Sequence, residues 1–181
     1  DSERRLALIR RVFHEPEIPA SPFLPPPVTR NAALFEECLD FAAEGGTLDF
    51  TGTEDIDYWA PICDEVRVCR GIRMLLDRGI SSNRFTISSD GQGSMPVFNE
   101  KGEFQGIGIG KASCLLKEVR ECVQKEGIPL ETAVKGITSN PAAILKLERK
   151  GRIKEGFDAD ICLLKEDTLE LDTVIAKGQV M

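Results

Sequence analysis

Residues 84–94 read RFTISSDGQGS, and this stretch decides the fold. Its first six residues are rich in β-forming side chains, so they predict a strand over 84–89. Asp90 follows the strand and opens a glycine-rich segment. An aspartate at the carboxyl end of a parallel strand lies where barrel enzymes keep their active sites, and there it can bind a metal or accept a proton from water. The same spacing also fits an Asx-turn in which two glycines supply positive φ angles.

Outward from this strand, helical and strand patterns alternate. A short strand is predicted over 47–51, and amphipathic helices are predicted over 32–44, 62–78 and 111–125. Strands that alternate with helices are typical of βα units with a parallel sheet. A complete (β/α)8 barrel needs about 250 residues, so a chain of 181 residues supplies only part of one. The sequence therefore predicts an α/β fold, either part of a TIM-type barrel or a small open sheet.

The remaining segments complete this outline. An amphipathic helix is predicted over 3–13, and the prolines after it exclude helix as far as Val28. The segment 90–110 is interpreted as an irregular, glycine-rich loop of a length that is often functional. Two short helices and two strands are predicted towards the carboxyl end, at 130–137, from Asn140, at 160–164 and at 173–176.

The composition limits the classes of function. Lys and Arg number 23 against 30 Asp and Glu, a net charge of −7, which argues against nucleic acid as a partner because phosphate binding needs a basic surface. We find neither a long apolar run nor a signal peptide, and therefore expect no membrane span. Because the chain opens at Asp1 rather than Met, we expect it to be processed, truncated or excerpted.

The cysteines and the one histidine of the chain limit its compartment and its metal chemistry. The six cysteines include no Cys-x-x-Cys pair and mostly lie among apolar residues, which favours buried, reduced thiols in a cytoplasmic protein. His14 is the single histidine. A zinc site made wholly by this chain would therefore lack the commonest zinc ligand.

A second candidate lies in residues 27–31, PVTRN, where a strand is expected to meet a helix. Arg30 is either a clamp for a substrate carboxylate, through two parallel hydrogen bonds, or an ordinary solvated arginine near a helix start. The segment 151–160, GRIKEGFDAD, is interpreted as structural, with turns that lead into a small β-layer.

Three stretches carry a resemblance to a known family. The pattern GRIKEGFDADICLL over 151–164 resembles the C-terminal signature of the amidohydrolase superfamily. Residues 28–51, VTRNAALFEECLDFAAEGGTLDFT, and 85–110, FTISSDGQGSMPVFNEKGEFQGIGIG, are similar to the isoaspartyl dipeptidase (β-aspartyl peptidase) branch of that superfamily. The resemblance covers almost the whole chain, but only the C-terminal half of a family member.

The resemblance implies a domain organisation. Residues 1–147 would form the C-terminal βα units of an amidohydrolase barrel, and 148–181 would return to a small β-domain. The segment near Val28 would be the sixth barrel strand, 47–51 the seventh and 85–89 the eighth.

The resemblance also implies a function, which is hydrolysis of isoaspartyl dipeptides by two zinc ions that polarise the carbonyl and supply a bridging hydroxide. Asp90 matches the aspartate of the eighth strand, which binds metal and carries the proton to the leaving amine. Arg30 matches a residue that holds a substrate carboxylate. Ser94 matches one that hydrogen-bonds the substrate near the same end.

The chain departs from this family pattern at the metal site. The ligands of the first five strands would lie before Asp1, and Pro27 stands where the sixth strand should supply a histidine. Proline cannot bind zinc, and a lone carboxylate at Asp90 holds zinc weakly. We therefore expect the chain alone to be inactive and to need the missing N-terminal half or another subunit, in an assembly expected to be a homo-oligomer.

Two other functions stay open. The first alternative is a degenerate, non-catalytic remnant that serves as a binding module, which Pro27 favours. The second is a cyclic-amide hydrolase similar to dihydroorotase and hydantoinase. The matches at Arg30 and at residues 91–94 argue against the cyclic-amide hydrolase.

Overall fold

The computed structural model describes residues 6–14, 24, 28–29, 31–53, 56–57, 65–99 and 101–181. Within these residues, helices and strands occur in the order helix, helix, strand, helix, strand, followed by two more sheets separated by helices. The helices are α1 (Ala7–His14), α2 (Ala32–Ala43), α3 (Val68–Asp77), α4 (Cys114–Gln124), α5 (Leu130–Ala133), which continues as a 3-10 turn (Val134–Ile137), and α6 (Ser139–Ile144). The strands are β1 (Leu48–Thr51), β2 (Phe85–Ser88), β3 (Ser94–Phe98), β4 (Phe104–Ile109), β5 (Ile161–Leu164), β6 (Leu171–Ala176) and β7 (Gln179–Val180).

Strands β1 and β2 form the parallel pair that the alternation predicts. Leu48 lies opposite Phe85, and Thr51 lies opposite Ser88. Helix α3 joins the two strands, so β1, α3 and β2 make one βα unit of the kind found in parallel sheets. The pairing continues past the end of β1, where the Gly52 N–H donates to the Ser88 carbonyl at 2.8 Å.

One face of the β1–β2 pair lies in the hydrophobic core. Phe50 and Phe85 are fully buried there, with their ring centroids 6.3 Å apart in an edge-on arrangement. Phe35 of α2 adds a third ring, 5.9 Å from that of Phe50. Gly71 of α3 lies on this cluster, because a Cβ there would come within 2.6 Å of the Phe50 ring. Aromatic packing therefore fixes α2 and α3 against the sheet.

The opposite face of the pair is polar. The Asp49 carboxylate accepts hydrogen bonds from the hydroxyls of Thr86 and Ser88, each at 2.6 Å. Because side chains alternate along a strand, these three residues share the face that points away from the core. In a closed barrel of parallel strands, that face lines the interior.

The two short helices after α4 anchor the end of β2 that lies away from Asp90. The buried Asn140 side chain of α6 donates to the carbonyls of Ser82 and Phe85, at 2.8 and 2.7 Å. Gly136 lies directly against Phe85 and Ile87, with room for no side chain. These contacts hold the start of β2 in place.

The segment after Asp90 differs from the predicted irregular loop. Strands β3 and β4 form an antiparallel hairpin, with Ser94 opposite Ile109 and Phe98 opposite Phe104. The physical reason is a period-2 pattern over residues 106–109, where glycine alternates with isoleucine. Those glycines conceal the strand signal, because glycine is depleted in strands.

The carboxyl-terminal strand patterns are confirmed and extended. Strands β5, β6 and β7 form a three-stranded antiparallel sheet. Between β6 and β7, Lys177 and Gly178 both have positive φ angles, 49° and 80°. Positive φ at both central residues is the geometry of a tight hairpin turn. Strand β7 is not predicted from the sequence, because it is only two residues long.

Two other sequence predictions differ from the structure, namely the strand expected near Val28 and the start of the helix expected over 62–78. Val28 and Thr29 are fully buried but lie in a turn, where the Thr29 carbonyl accepts from the Val66 N–H at 2.8 Å, and not in a strand. Helix α3 begins at Val68 instead of near residue 62.

None of the helices in the described part of the chain has the length and apolar character needed to cross a bilayer.

The cysteine prediction is confirmed for four thiols, since Cys38, Cys69, Cys114 and Cys122 are buried and free. The Cys162 side chain is exposed, and Cys63 lies outside the described residues.

A buried carboxyl group lies between α4 and the end of β1. Glu118 is 3% exposed and accepts a hydrogen bond from the Thr53 N–H at 3.4 Å. Its Cγ lies so close to Gly52 that a Cβ there would approach it to 3.0 Å. Burial, and after it the charge of Glu121, raises the pKa of Glu118 to about 7, against the opposing effects of the Thr53 hydrogen bond and Lys117.

We expect Glu118 to make the protein less stable as the pH rises from about 4.5 to about 7. In that window the folded state keeps a proton on Glu118 that the unfolded chain has released, so the free energy of unfolding falls with increasing pH. Over the whole window, the loss is on the order of 3 kcal/mol. Urea unfolding of wild type and of Glu118→Gln at a series of pH values measures this difference, because Gln keeps the acceptor oxygen but does not titrate.

Glu148→Gln serves as the matched control, since Glu148 is an exposed glutamate. Its pH dependence should follow that of the wild type. Equal slopes for wild type and Glu118→Gln would contradict the prediction.

Candidate active site

Asp90 lies two residues beyond the end of β2, on a sharp turn. Its φ angle is 47° and that of Gln92 is 68°, both in the left-handed region that non-glycine residues enter at a cost. Aspartate is among the residues that tolerate this conformation best. The turn leaves the Asp90 side chain exposed.

The Asx-turn that the sequence left open at Asp90 is not formed. The Gly91 N–H donates to the Ser89 hydroxyl at 3.1 Å, and the Gln92 N–H donates to the Gly110 carbonyl at 3.0 Å. Ser89 therefore takes the role of side-chain cap. The Asp90 carboxylate makes no hydrogen bond to any residue in the described ranges, which leaves both of its oxygens available to a ligand.

The base of the β3–β4 hairpin closes around Asp90. The Gly93 N–H donates to the Asp90 carbonyl at 3.0 Å, and the Gly110 N–H donates to the Gly93 carbonyl at 2.9 Å. A Cβ on Gly93 would lie 2.8 Å from the Asp90 carbonyl oxygen and 3.3 Å from its Cγ. A Cβ on Gly110 would also lie 2.8 Å from that carbonyl oxygen. The two glycines thus permit a close contact between the hairpin and the aspartate.

Ser94 belongs to the same unit as Asp90. It is the first residue of β3, four positions after the aspartate, and its side chain is exposed. Arg30 and Pro27 lie outside the described residues, as does the segment 58–64. Next to Arg30, the buried Thr29 hydroxyl donates to Glu65 at 3.3 Å.

Sequence reasoning missed Asp49. Its half-buried carboxylate lies on the same face of the sheet as Ser88, the last residue of the strand that leads to Asp90. Both oxygens are occupied by the hydroxyls of Thr86 and Ser88, which suits a structural role that holds the register of the two strands. An acidic residue between Leu48 and Phe50 was the available signal, since it breaks an apolar strand.

The described residues do not by themselves fit a two-zinc site. In those ranges, no group of three or more His, Cys, Asp and Glu side chains could hold a metal ion. The buried thiols are also poor ligands, because burial raises the pKa of Cys38 to about 12 and that of Cys69 to about 11. The His14 side chain lies outside the described residues. Asp90 is thus the one predicted zinc ligand that this part of the chain presents.

A cavity lies near the β5–β6–β7 sheet, and the residues that line it are far from Asp90 in the sequence. Its volume is about 500 Å³, and its lining includes Arg149, Phe157, Asp158 and Lys177. The Asp158 carboxylate is paired with Arg149 at 2.5 Å and with Lys150 at 2.9 Å. In these pairs the positive charges of Arg149 and Lys150 are partly neutralised by the Asp158 carboxylate, which weakens the attraction that the cavity could offer to a charged ligand.

Comparison with known proteins gives the family. The model of the amidohydrolase family matches residues 57–181, which is more than half of the chain. A crystal structure of β-aspartyl dipeptidase from Fervidobacterium islandicum AW-1 in complex with β-Asp-Leu dipeptide is 33% identical, with a TM-score of 0.80, and the match covers 99% of this chain and 44% of that one. A second structure of β-aspartyl dipeptidase from that organism is 30% identical, with a TM-score of 0.77, over 99% of this chain and 43% of the other.

The chain therefore spans less than half of the length of these two structures. Their similarity over nearly all of the present chain confirms the predicted fold class, which is the C-terminal part of a TIM-type hydrolase barrel together with strands of a small β-domain. The parallel β1–α3–β2 unit that ends in an exposed aspartate is the part of that barrel where its chemistry is expected. With a family match over 57–181 added to this architecture, the chain belongs to the amidohydrolase family.

Proposed function

We propose that this chain forms the C-terminal part of the active site of a zinc-dependent hydrolase that cleaves β-aspartyl (isoaspartyl) dipeptides. One observation carries the proposal. Over 99% of its length the chain superposes, with a TM-score of 0.80, on a β-aspartyl dipeptidase that holds a β-Asp-Leu dipeptide, and its own Asp90 follows a parallel strand with a carboxylate that no described residue occupies.

Asp90 is proposed to move the proton of the reaction. Hydrolysis adds water to the side-chain amide carbonyl of the β-aspartyl residue and breaks the bond between that carbon and nitrogen. Asp90 accepts the proton that the attacking water loses and gives it to the leaving amine nitrogen, so the carboxylate is regenerated. A carboxylate can do this because it takes up a proton on one oxygen and, as a carboxylic acid, gives it back.

Asp90 is also proposed to be one of the zinc ligands. The described residues do not complete its site, so the other ligands are proposed to come from outside those residues, and in particular from a segment equivalent to the part of the relatives that this chain does not span. On this proposal the chain alone is inactive.

Arg30 and Ser94 are proposed to bind the substrate. A guanidinium group can hold a carboxylate with two parallel hydrogen bonds. The exposed Ser94 hydroxyl, at the start of β3, can donate a hydrogen bond to the same end of the dipeptide. Both assignments rest on the family resemblance, and the closeness of Ser94 to Asp90 in the hairpin supports the second.

The domain boundary belongs to the same proposal. Residues 1–147 are assigned to the barrel, and 148–181 to the small β-domain, which here contributes β5, β6 and β7. Within the described residues, β1 and β2 each have one edge without a partner strand, and such edges favour association with further strands. We propose that the rest of the enzyme, in a homo-oligomer, covers them.

A second candidate function is favoured by one specific residue. Pro27 stands where the family resemblance calls for a histidine ligand, and proline has no atom that binds zinc. A non-catalytic remnant that serves as a binding module is therefore the alternative.

A fusion protein tests the function. It joins the segment of the F. islandicum enzyme that precedes its match to this chain with residues 1–181, either with Pro27 or with Pro27→His. We expect the Pro27→His fusion to bind zinc and cleave β-Asp-Leu, and the Pro27 fusion to be at least tenfold less active, because loss of a ligand weakens a metal site.

Elemental analysis and release of leucine are the measurements for these fusions, and the 181-residue chain alone is the inactive control. A Pro27→His fusion that folds but cleaves nothing would favour the non-catalytic module. One that opens cyclic amides and ignores β-Asp-Leu would point to the cyclic-amide hydrolases.

In the active fusion, we expect Asp90→Asn to lower kcat by about 10²- to 10⁴-fold, because the amide cannot take up and return a proton. Steady-state cleavage of β-Asp-Leu measures this loss. Asp172→Asn is the matched control, since Asp172 is exposed on β6 and lies in the small sheet. A kcat for Asp90→Asn within threefold of the parent would remove Asp90 from the mechanism.

For Arg30→Ala in the same fusion, we expect KM for β-Asp-Leu to rise on the order of tenfold to a hundredfold, the range of a charge-assisted hydrogen bond lost from a binding site. The exposed Arg152, changed to Ala, is the control. An unchanged KM in Arg30→Ala would leave the ordinary solvated arginine as the correct interpretation.

A further inference from the structure

The peptide at Asp90 lies against the base of the β3–β4 hairpin. Gly93 comes just before β3 and Gly110 just after β4, and the hydrogen bond between them closes the hairpin at 2.9 Å. The Asp90 carbonyl oxygen lies against both glycines, and the Asp90 carboxyl carbon lies against Gly93. Asp90, Gly93 and Gly110 are thus in contact where the chain passes from β2 into the hairpin.

We propose that Gly93 and Gly110 are positioning residues, which set the direction of the Asp90 carboxylate by admitting the Asp90 peptide into the base of the hairpin. The catalytic part of this inference rests on the function proposed above for Asp90. The geometric part, that the two glycines fix the carboxylate, can be tested without any activity.

The two glycines are needed for space and not for backbone conformation. Neither has a φ angle in the left-handed region, so an alanine at either position meets no conformational penalty of that kind. A Cβ at either site would lie 2.8 Å from the Asp90 carbonyl oxygen, closer than real Cβ contacts. The obstacle is a backbone atom, which cannot turn aside as a side chain can.

The structure shows which atoms of Asp90 an added methyl group would meet at each glycine. Asp90 has the left-handed φ angle of 47°, so its peptide has few alternative conformations. A methyl group at Gly110 would meet the carbonyl oxygen of Asp90. Because the φ angle of Asp90 has little freedom, we expect its Cα, and the carboxylate with it, to move. At Gly93 the methyl group meets the carboxyl group as well, because it lies 3.3 Å from Cγ and from Oδ1.

The rest of the hairpin gives this device its rigidity. Cross-strand pairs run from Ser94 and Ile109 to Phe98 and Phe104, whose rings meet edge to face with centroids 5.9 Å apart. Widening the base to admit a methyl group would therefore disturb the neighbouring pair, Ser94 and Ile109.

Gly108 supplies a matched control in the same strand. A Cβ there would lie 3.0 Å from Cγ2 of Val97, a side-chain atom on the hairpin, and it makes no close contact with Asp90. Gly108→Ala thus adds one methyl group to the same hairpin, two residues from Gly110. It tests what a methyl group in β4 does when Asp90 is not its neighbour.

The first measurement uses the active Pro27→His fusion. We expect Gly93→Ala and Gly110→Ala to lower kcat for β-Asp-Leu at least tenfold, since displacement of a catalytic group by about 1 Å can cost 10²-fold, while KM stays within about threefold. Gly108→Ala should change neither. In an Asp90→Asn background, Gly110→Ala should have no further effect on the residual kcat, because both changes act through one group.

The second measurement uses the 181-residue chain alone and needs no activity. NMR of carboxyl-labelled aspartate identifies the Asp90 resonance as the one that disappears in Asp90→Asn. We expect that resonance to move in Gly93→Ala and Gly110→Ala, and to stay in place in Gly108→Ala, with the other aspartate resonances unchanged in all three as evidence of intact folding.

The outcomes separate the two levels of the proposal. An Asp90 resonance that does not move in Gly93→Ala and Gly110→Ala, or that moves equally in Gly108→Ala, overturns the positioning role whatever the enzyme does. Additive losses of kcat in the Asp90→Asn background would also overturn it. A resonance that moves as expected beside a fusion without activity supports the positioning of Asp90 and counts against the proposed function alone.

Discussion

The parallel pairing of β1 with β2 is the constraint on which the rest of the described structure depends. Its register, from Leu48 opposite Phe85 to Thr51 opposite Ser88, gives the pair two faces of different chemistry. The apolar face collects the aromatic rings that hold α2 and α3 in the core, and the polar face carries the Asp49 carboxylate. A slip of one residue would exchange the faces and place Asp49 among phenylalanines, at a cost of several kcal/mol for a buried, unpaired charge.

This register also determines where Asp90 is placed. The two hydroxyls that Asp49 accepts from belong to Thr86 and Ser88, so the carboxylate fixes β2 up to its last residue. Beyond Ser88 the chain turns sharply and the hairpin closes around the turn. The position of Asp90 is therefore set from both sides, by the sheet before it and by the hairpin after it, which is the condition under which a strained conformation persists.

The sequence predicts the elements that follow a clear period and misses those whose signal is diluted. Strand β2 and helix α2 are predicted within a residue or two, because β-forming residues mark the strand and amphipathic spacing marks the helix. In the structure Asn31 caps α2, its side chain accepting from the Leu34 N–H at 2.8 Å. The hairpin is missed because Gly106 and Gly108 interrupt the apolar residues of β4 and dilute its strand signal. The strand that the family resemblance implies near Val28 is not formed by Val28 and Thr29, which are buried in a turn.

The candidate site shows the same division between what residue types reveal and what geometry adds. The position of Asp90 after a strand is visible in the sequence, and it leaves two interpretations open, an Asx-turn or an available carboxylate. Only the structure shows that the Gln92 N–H, which an Asx-turn would direct to the Asp90 side chain, donates to the Gly110 carbonyl instead. The turn is thus stabilised without the Asp90 side chain. On the positioning role proposed for Gly93 and Gly110, the free carboxylate takes one direction when the chain folds. Preorganisation of that kind is what a catalytic or metal-binding group requires, because the cost of orienting it is met when the chain folds and not when the substrate binds.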